Sequence, residues 1–529
     1  MERKKLNIWL PLLLSICMIA GIFIGYKMRD GLPGRSFFSL EKRRPIQEIM
    51  DLIENKYVDK VNINSLADTA IQAMLSKLDP HSIFIPAKDL QDVNEDIQGS
   101  FFGIGIEFSI LDDTLHVLNV MPGGPGDKSG IITGDKFIVA NGRSIAGNKL
   151  VADSIRKILR GDRGSTVNIR LLRDGKVIDL DIKRDIIPVS SVDAAYMIDS
   201  ACGYIRLNKF STQTYREFML SLEKLKKAGL QKLILDLRGN GGGVLDEAVE
   251  IADEFLEVDK LITYTEGLHA AKKEYRCRRE GQFEKGALVV LADEGSASAS
   301  EVLIGALQDW DRAAIIGRRT FGKGLVQEQF DLSDNSAVRL TISRYFTPSG
   351  RSIQRSYANG GKAYYDEITK RFQDGELVSA DSIKPDTSKA YRTQAGKKVY
   401  GGGGISPDYF IAADTARMGP ITLKAYSKGI INDFGYKYYL SNRKVKDDYK
   451  NALDFSRRFN MSPENWQIFT QLSLKDSISL FNINDSDRNY LVKALKASVA
   501  RQLWRNEGYF EVYNSEDETI KKALEVLKK

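Results

Sequence analysis

The chain has 529 residues, of which 43% are hydrophobic, and its formal net charge is +7 at pH 7. This length predicts three or four domains, and this apolar fraction is enough for packed cores, so the composition excludes a globally disordered protein. Acidic and basic residues are interspersed, which argues against a nucleic-acid-binding protein, since that class gathers its basic residues on one face.

The N-terminal region contains an apolar run from Ile8 to Tyr26, preceded by Arg3, Lys4 and Lys5. At the rise of an α-helix this run is long enough to cross the hydrocarbon core of a bilayer. It predicts an uncleaved membrane anchor over residues 1–29, with a cleaved signal peptide as the alternative. Both interpretations place the rest of the chain outside the cytoplasm, because basic residues ahead of a first span stay inside.

Residues 30–98 predict a short stalk at 30–42 followed by helices. One helical pattern lies between Ile46 and Ile53, and a second stops at Pro80. We expect a helical collar without chemistry.

Residues 99–187 change to short β-like runs that alternate with glycine-rich turns. One helical stretch, about Leu150 to Leu159, lies among them. This composition predicts a small β-sandwich or barrel with a helix packed over an opening.

Residues 188–415 have an α/β pattern, and residues 416–529 form an extension that ends in helices. In the extension, Ser515 and Glu518 predict a capping box for a terminal helix. In the α/β part, three apolar runs of the buried-strand type alternate with helical patterns: Leu233–Leu237, Ala287–Leu291 and Ala313–Ile316.

Neither the cysteines nor the histidines suggest a metal site or a familiar catalytic group. Cys17, Cys202 and Cys277 are far apart, and we expect three buried thiols. The sequence has no closely spaced Cys/His cluster and no H-E-x-x-H motif, so we expect no metal. None of the three histidines lies in a recognisable catalytic context, and we expect His81 to satisfy local hydrogen bonds.

Two strand–turn–helix segments are rich in small residues. The run Leu233–Leu237 leads into the turn Gly239–Gly243, where glycines let the backbone approach a ligand and direct N–H groups at it. Either an oxyanion cradle or an ordinary tight turn fits this segment. Small residues from Gly295 to Ser300 surround Ser298 in the second segment, and there a nucleophile and a simple helix N-cap both remain open.

Lys323 ends a G-x-x-x-x-G-K pattern that begins at Gly317. A nucleotide-binding loop needs Ser or Thr next and then a helix, whereas this chain has Gly324 followed by strand-like alternation, so that loop is excluded. A lysine buried in an apolar site has a lowered pKa and can act as a general base. Gln327 would share a strand face with Lys323 and orient its amine without adding a negative charge.

The segments Gly295–Glu301 (G-S-A-S-A-S-E) and Thr320–Gly324 (T-F-G-K-G), with their spacing, resemble the carboxyl-terminal processing, or tail-specific, proteases of peptidase family S41. The resemblance implies that Ser298 is the nucleophile and Lys323 the general base, supported by Gln327.

The same resemblance implies further roles in and around the site. The backbone N–H groups of Ala299 and Gly242 would form the oxyanion hole, and Asp309 would have a supporting, structural role. The family has no metal or other cofactor.

The turn of Gly103, Ile104, Gly105 and Ile106 resembles the carboxylate-binding loop of the family's PDZ module. Its N–H groups would bind the terminal carboxylate of a peptide that adds as a strand to Glu107–Ile110. A purely structural β module, or a regulatory lid that binds no substrate, is the alternative.

The resemblance covers residues 45 to about 415 and implies a multidomain α/β (α+β) fold. We expect five segments: a membrane anchor (1–29), a stalk and helical segment (30–98), a PDZ domain (99–187), a crotonase- or ClpP-like α/β serine protease core (188–415) and a helical C-terminal extension (416–529).

The expected function is a serine endopeptidase that cleaves proteins near their C-termini through an acyl-enzyme. It would be held by one span in the bacterial inner membrane, with its catalytic part in the periplasm. Expected partners are proteins or peptides with C-terminal tails, an adaptor or activator, and further copies in a homo-oligomer, but no nucleic acid. A non-catalytic peptide-binding scaffold is the first alternative, and an acyl-transferring or apolar-ligand-binding protein is the second.

Overall fold

The computed structural model describes residues 2–29, 45–384, 386–413 and 418–528. The chain divides into two compact units, one up to Ile71 and one from Gln72 onward. The border predicted at residues 415 and 416 lies outside the described residues, and the other predicted domain borders stay predictions.

The first unit is helical, as its sequence pattern predicts. It holds α1 (Glu2–Arg29), α2 (Pro45–Lys56) and the first part of α3 (Ile63–Leu75). Across the described parts of the chain, no helix combines the length and the apolarity that a bilayer span requires, so the anchor predicted over residues 1–29 is not borne out. The predicted stalk at residues 30–42 lies outside the described residues.

The second unit starts with a turn that joins α3 to the core. The Asp79 carboxylate accepts hydrogen bonds from the N–H groups of His81 and Ser82 and from the Ser82 hydroxyl. This turn leads into β1 (Ile83–Ile85), which pairs with a strand of the core, and then into α4 (Ala87–Gln98).

A β module follows, which we define as residues 100–188. Its sheet has the order β3-β4-β5-β7-β8, with β6 beside β5, so β3 lies at an edge. Leu115, Phe137 and Val167 are completely buried in one cluster with Ile155 and Leu159 of α6. The predicted strands and the predicted helix are present, and their arrangement as a small β-sandwich or barrel stays a prediction. β2 and β9 pair at the entrance and exit of the module. The elements are β2 (Ser100–Gly103), β3 (Ile106–Leu111), β4 (Thr114–Val120), α5 (Pro125–Lys128), β5 (Lys136–Ala140), β6 (Arg143–Ser144), α6 (Ala152–Leu159), β7 (Thr166–Arg173), β8 (Lys176–Lys183) and β9 (Asp185–Pro188).

The α/β core, residues 192–410, is built on a six-stranded sheet of order β10-β11-β12-β15-β16-β21. From β11 to β21 the neighbours are parallel, and β10 is antiparallel at one edge. The three predicted apolar runs are β12, β15 and β16, buried because helices cover both faces of this sheet. The elements of the sheet and its first helices are β10 (Val192–Met197), β11 (Cys202–Leu207), α7 (Thr214–Lys227), β12 (Lys232–Asp236), α8 (Leu245–Asp253), β15 (Ala287–Ala292), α9 (Ala299–Asp309), β16 (Ala314–Gly317) and β21 (Tyr409–Phe410).

A second sheet of the core has the order β1-β18-β13-β14, with β17 also paired to β18. β17 follows the predicted lysine loop, so this sheet positions that loop. The remaining core elements are β13 (Leu261–Glu266), β14 (Lys273–Arg276), β17 (Leu325–Asp331), β18 (Ala337–Phe346), α10 (Gly360–Gln373), β19 (Ala390–Arg392) and β20 (Lys398–Tyr400), with 3₁₀ turns at Ala380–Ser382 and Thr387–Lys389.

The C-terminal extension, residues 418–528, is helical as predicted. Its last helix packs on the core sheet, where Ile520, Ala523 and Leu527 are buried. The predicted capping box is wrong: this helix begins after Asp517, whose carboxylate accepts the N–H groups of Thr519 and Ile520. The helices are α11 (Pro420–Ser427), α12 (Ile430–Ser441), α13 (Ala452–Arg458), α14 (Pro463–Lys475), α15 (Asp485–Asn514) and α16 (Glu518–Val526), with a 3₁₀ turn at Val445–Asp448.

The cysteines only partly follow the prediction of three buried thiols. Cys202 and Cys277 are buried in the core, but Cys17 is exposed on α1. All three are free thiols.

Candidate active site

Ser298 lies in a sharp turn between β15 and α9. Its backbone has φ 56° and ψ −116°, a combination that residues with a side chain rarely adopt. Backbone strain of this kind is concentrated at functional positions, and the carboxyl end of a parallel strand is where such sheets place their sites. Ser298 is half-buried and immediately precedes the helix, so the N-cap position and an accessible serine coincide in one residue.

The glycine turn Gly239–Gly243 lies against Ser298. Gly242 has φ 93°, and a Cβ built on it would lie 2.7 Å from the Ser298 Cβ and 2.6 Å from the Ala297 carbonyl oxygen. A larger residue at this position would overlap the serine turn, so the close approach requires glycine. The predicted glycine cradle is therefore adjacent to the candidate nucleophile.

The two N–H groups predicted for an oxyanion hole differ in their hydrogen bonding. Ala299 is the first residue of α9, and within the described residues its N–H donates no hydrogen bond. Gly242 donates its N–H to Oδ1 of Asn240 at 2.9 Å. The Ala299 group can therefore bind a ligand directly, whereas the Gly242 group becomes free only when the Asn240 amide turns away.

Asn240 ties the glycine turn to the serine turn, a role that sequence reasoning missed. Its side chain donates to the Leu207 carbonyl at 3.0 Å. Its own carbonyl accepts the Ala297 N–H at 3.0 Å and the Ser300 hydroxyl at 2.9 Å. All of these partners are distant in sequence, so no local pattern separates this asparagine from an ordinary turn residue.

Glu301 joins the Ser298 turn to the Lys323 loop, which sequence reasoning also missed. This side chain is fully buried, and its Oε2 accepts the N–H groups of Ser298 and Lys323 at 2.9 Å each. The two main-chain nitrogens therefore lie at most twice that distance apart. Oε1 accepts the Gly322 N–H at 2.7 Å and the Thr320 hydroxyl. Burial raises the pKa of Glu301 to about 7, against the effect of these four donors.

Lys323 lies in the loop ahead of β17. Burial lowers the pKa of this lysine, Arg339 lowers it further, and Glu301 and Asp79 act in the opposite direction. The direction is the one that a general base requires. Among the described residues, no hydrogen bond or ion pair engages the Lys323 Nζ, so the lysine is not hydrogen-bonded to the Ser298 hydroxyl.

Gln327 lies close to Lys323 in sequence but its amide has another partner. β17 begins only at Leu325, so Lys323 precedes the strand and the predicted strand face shared by Lys323 and Gln327 does not form. The Gln327 Nε2 donates to Thr341 Oγ1 on β18 at 3.3 Å. Its support of the Lys323 amine stays a prediction.

The turn that follows α3 places His81 where the charge of Lys323 acts on it. The His81 N–H makes the expected local hydrogen bond to Asp79, whereas the ring Nε2 lies 2.9 Å from the Tyr364 hydroxyl on α10. Burial lowers the pKa of His81 to about 4, and the charge of Lys323 contributes to this shift. His81 is therefore neutral at pH 7.

Asp309 lies at the end of α9 opposite Ser298. Its carboxylate accepts the Ser349 N–H and hydroxyl at 3.0 Å and 2.7 Å and forms a buried ion pair with Arg351 at 2.7 Å. These contacts support the structural role that the resemblance implies, by fixing the far end of the helix.

The predicted carboxylate-binding loop is the connection between β2 and β3. The carbonyls of Ile104 and Gly105 accept the N–H groups of Gly126 and Met121. In the described residues, the loop's own N–H groups at Ile104 and Gly105 have no acceptor. Because β3 lies at the edge of its sheet, N–H donors are found here beside a strand edge that pairs with no further strand of the described sheet.

The site offers no evident metal ligands. Over the described ranges, no three His, Cys, Asp or Glu side chains are grouped as a metal site requires. Glu301, the buried carboxylate nearest the serine turn, uses both oxygens as hydrogen-bond acceptors.

Four family models match segments of the chain. Residues 201–361 match peptidase family S41, and residues 103–183 match the PDZ domain. Residues 34–89 match the N-terminal domain of the activating protease CtpB, and residues 422–505 match a family of unknown function.

The similar proteins include curated proteases from two bacteria. A probable CtpA-like serine protease of Staphylococcus saprophyticus is 33% identical over 356 residues, covering 66% of this chain and 71% of the relative. A carboxy-terminal-processing protease of Bartonella bacilliformis is 34% identical over 313 residues, covering 58% and 71%. Among solved structures, a photosystem II D1 C-terminal processing protease is 26% identical, with a TM-score of 0.37 and coverage of 70% and 87%.

Proposed function

The chain belongs to peptidase family S41, as a carboxy-terminal processing serine protease with a PDZ domain, and from this premise we propose that Ser298 and Lys323 are its catalytic dyad. The observation that carries the proposal is the Glu301 carboxylate, which binds the N–H groups of both residues. The lowered pKa of Lys323 and the free Ala299 N–H supply the other two requirements of acyl transfer.

The proposed reaction begins when Ser298 Oγ attacks the peptide carbonyl and its proton passes to the neutral amine of Lys323. The Ala299 N–H binds the oxyanion, an interaction worth about 3 kcal/mol per donor, and Gly242 adds a second donor once Asn240 releases its N–H. Lys323 then protonates the leaving amine, and water hydrolyses the acyl-enzyme by the reverse proton transfers. Gln327 orients the lysine amine throughout.

The side chains of Ser298 and Lys323 must approach each other before this chemistry. Within the described part of the chain, no hydrogen bond joins the Ser298 hydroxyl to the Lys323 amine, and the Gln327 amide donates to the Thr341 hydroxyl instead. We infer that a bound substrate brings the amine to the hydroxyl, since catalytic hydrogen bonds often form only in the substrate complex.

The dyad is tested with the full chain and an unfolded protein substrate. Ser298→Ala and Lys323→Ala should each lower kcat by on the order of 10³-fold or more, and the double variant should be no worse than either, because the two act as a unit. Ser427→Ala and Lys362→Ala, at exposed positions, are the matched controls. Near-normal cleavage by either dyad variant would refute the proposal.

We propose that the β module selects substrates by their C-terminal carboxylate. The support is the free N–H groups of Ile104 and Gly105 beside β3, the edge strand of its sheet. A peptide with a free C-terminus should bind the Ser298→Ala protein at least tenfold more tightly than its amide, measured by fluorescence anisotropy. Equal binding of the acid and the amide would favour the structural or lid alternative.

The cellular location is a proposal that rests on the sequence. The apolar run from Ile8 to Tyr26 with basic residues ahead of it supports an extracytoplasmic catalytic part. External protease added to bacterial spheroplasts should then digest the chain without lysis. Protection until lysis would contradict this location.

A further inference from the structure

Tyr345 contacts both candidate catalytic segments. It lies on β18 with only 2% of its surface exposed, and its hydroxyl is 2.7 Å from the Lys323 carbonyl oxygen and 3.1 Å from the Ser298 carbonyl oxygen. Its main-chain N–H also donates to the Gly324 carbonyl at 3.1 Å. One residue therefore holds the lysine loop at two points, through its hydroxyl and its main-chain N–H, and its hydroxyl also touches the serine turn.

The hydroxyl has a single proton, and the shorter contact assigns it to the Lys323 carbonyl. The Ser298 carbonyl already accepts the Val302 N–H at 3.0 Å. Burial raises the pKa of Tyr345 well above its usual range, so the phenol remains a donor across the working pH of an enzyme. Glu301 binds the N–H groups of Ser298 and Lys323, while the Tyr345 hydroxyl donates to the Lys323 carbonyl and lies against the Ser298 carbonyl, so the lysine loop is held on both edges beside the serine turn.

We propose that Tyr345 is a positioning residue that fixes the Lys323 loop against the Ser298 turn. The inference rests on the proposed dyad. Loss of the hydroxyl would leave the ring and the core packing in place but free the Lys323 peptide to move. Because proton transfer depends on sub-ångström placement of the amine, this freedom should lower kcat and leave substrate binding unchanged.

The test is Tyr345→Phe in the full chain, with Tyr215→Phe as a control that loses a hydroxyl bond to Glu254 elsewhere in the core. We expect kcat to fall about tenfold or more in Tyr345→Phe with KM within about twofold, and no such fall in the control. Circular dichroism and thermal melting confirm that both variants are folded.

The outcomes separate this inference from the dyad itself. If Ser298→Ala and Lys323→Ala are inactive while Tyr345→Phe keeps kcat within twofold of the unmodified chain, the positioning role is wrong and the dyad stands. A rise in KM with unchanged kcat also overturns it. Activity in the Ser298→Ala or Lys323→Ala protein would refute the dyad instead.

A second, independent observation concerns the C-terminal extension. Asp517 Oδ2 lies 2.8 Å from Nη1 of Arg238, and the side chains of the pair are largely buried, with 6% and 15% exposed. Arg238 also binds the Asp236 carboxylate and immediately precedes the glycine turn. The extension therefore reaches the main chain from which Gly239–Gly243 begins.

From Arg238 a short series of contacts leads to the serine turn. The carbonyl of Arg238 accepts from Arg206, and the next N–H, that of Gly239, donates to Asp293 at 2.8 Å. Asn240 then binds Ala297 through its carbonyl. A shift of the Arg238 side chain would thus be transmitted to the turn that carries the candidate oxyanion donors.

We propose that Asp517 is a positioning residue that the extension supplies to the glycine turn of the protease site. This inference also rests on the proposed site, and it gives the extension a part in catalysis. Asp517 additionally caps α16, but asparagine caps a helix equally well. Asp517→Asn therefore removes the ion pair and keeps the cap.

The experiment compares Asp517→Asn with Glu518→Gln, which removes an exposed ion pair with Lys521 at the neighbouring position. We expect about a tenfold lower kcat for Asp517→Asn, KM within about twofold, and an unchanged far-ultraviolet spectrum. Arg238→Lys should lower kcat at least as much, because it also weakens the pair with Asp236, and adding Asp517→Asn to it should change little, because the Asp517 contact is already lost. Normal kcat in Asp517→Asn, or additive losses in the double variant, would overturn this inference while leaving the Ser298→Ala result intact.

Discussion

The contacts that hold the proposed dyad in place are made to the main chain of Ser298 and Lys323, not to their reactive side chains. Glu301 binds the N–H groups of Ser298 and Lys323, and Tyr345 contacts their carbonyls. The serine hydroxyl and the lysine amine thus keep their freedom to move while their backbones are fixed. This division suits a site in which the substrate completes the geometry.

The charge of Arg339 sets part of the basicity of Lys323. A lysine that acts as a base is active when neutral, so kcat/KM should rise with pH through its pKa. Arg339 lowers that pKa, and Arg339→Gln removes a positive neighbour, so the lysine should hold its proton to higher pH. We expect the midpoint of the rising limb to move up by a few tenths of a pH unit to about one unit.

The matched control for this pH profile is Arg344→Gln. Arg344 lies on the same strand, β18, but is not among the charges that shift the pKa of Lys323. Its midpoint should stay in place. A downward shift in Arg339→Gln, or equal shifts in both variants, would contradict Lys323 as the titrating base.

At the scale of elements, α15 joins the β module to the core. Before the kink at Trp504 and Arg505, Arg501 pairs with Glu107 of β3 at 3.2 Å. At the kink itself, Arg505 donates to the Val120 carbonyl of β4 at 2.7 Å. After it, contacts turn to the core: Asn506 donates to Asp193 at 3.2 Å, and Glu507 pairs with Lys224 at 2.9 Å. One helix therefore braces two modules.

The strained backbone at Arg505 leads to a prediction about the contacts between α15 and the β module. Arg505 has φ 59° and ψ −153°, a region almost reserved for glycine that costs about 1–3 kcal/mol for other residues. Arg505→Ala loses the Val120 contact and keeps the strain, whereas Arg505→Gly loses the contact and relieves it. We expect the glycine variant to be more stable than the alanine variant by about 1 kcal/mol in denaturant unfolding.

Both Arg505 variants should also show faster hydrogen exchange in the ribbon of β2 and β9, where the β module enters and leaves the core. Lys475→Ala, which breaks an exposed pair with Asp112, should leave this exchange almost unchanged. Unchanged exchange in the Arg505 variants would show that the contact of α15 with Val120 does not restrain the β module.

At the scale of the whole molecule, the reactivity of the three free thiols tests how completely the core excludes solvent. Cys202 and Cys277 are each 2% exposed, and burial raises the pKa of both thiols to about 12. Alkylation of the native chain should therefore spare both and reach Cys17, and a reductant should leave the melting temperature unchanged. Mass spectrometry of the alkylated native and urea-unfolded chains checks this. Native modification of Cys202 or Cys277 would contradict the packing described here.

The sequence by itself determined the elements and the chemistry that short patterns encode. Apolar runs located β12, β15 and β16 because buried parallel strands need continuous apolar residues. The glycine turn and the serine turn were predictable because close backbone approach and tight helix starts restrict the residue type. The family resemblance then supplied the roles that we propose for Ser298 and Lys323.

Only the tertiary structure decided which distant groups meet these residues. Asn240, Glu301 and Tyr345 bind segments that lie on other strands and turns, and Asp517 reaches Arg238 across 279 residues. His81 binds Tyr364 on α10, far from it in sequence, and Asp517, not Ser515, caps the last helix. A local pattern records what a residue does to its own backbone, whereas these contacts depend on how sheets and helices pack, which no short window of sequence contains.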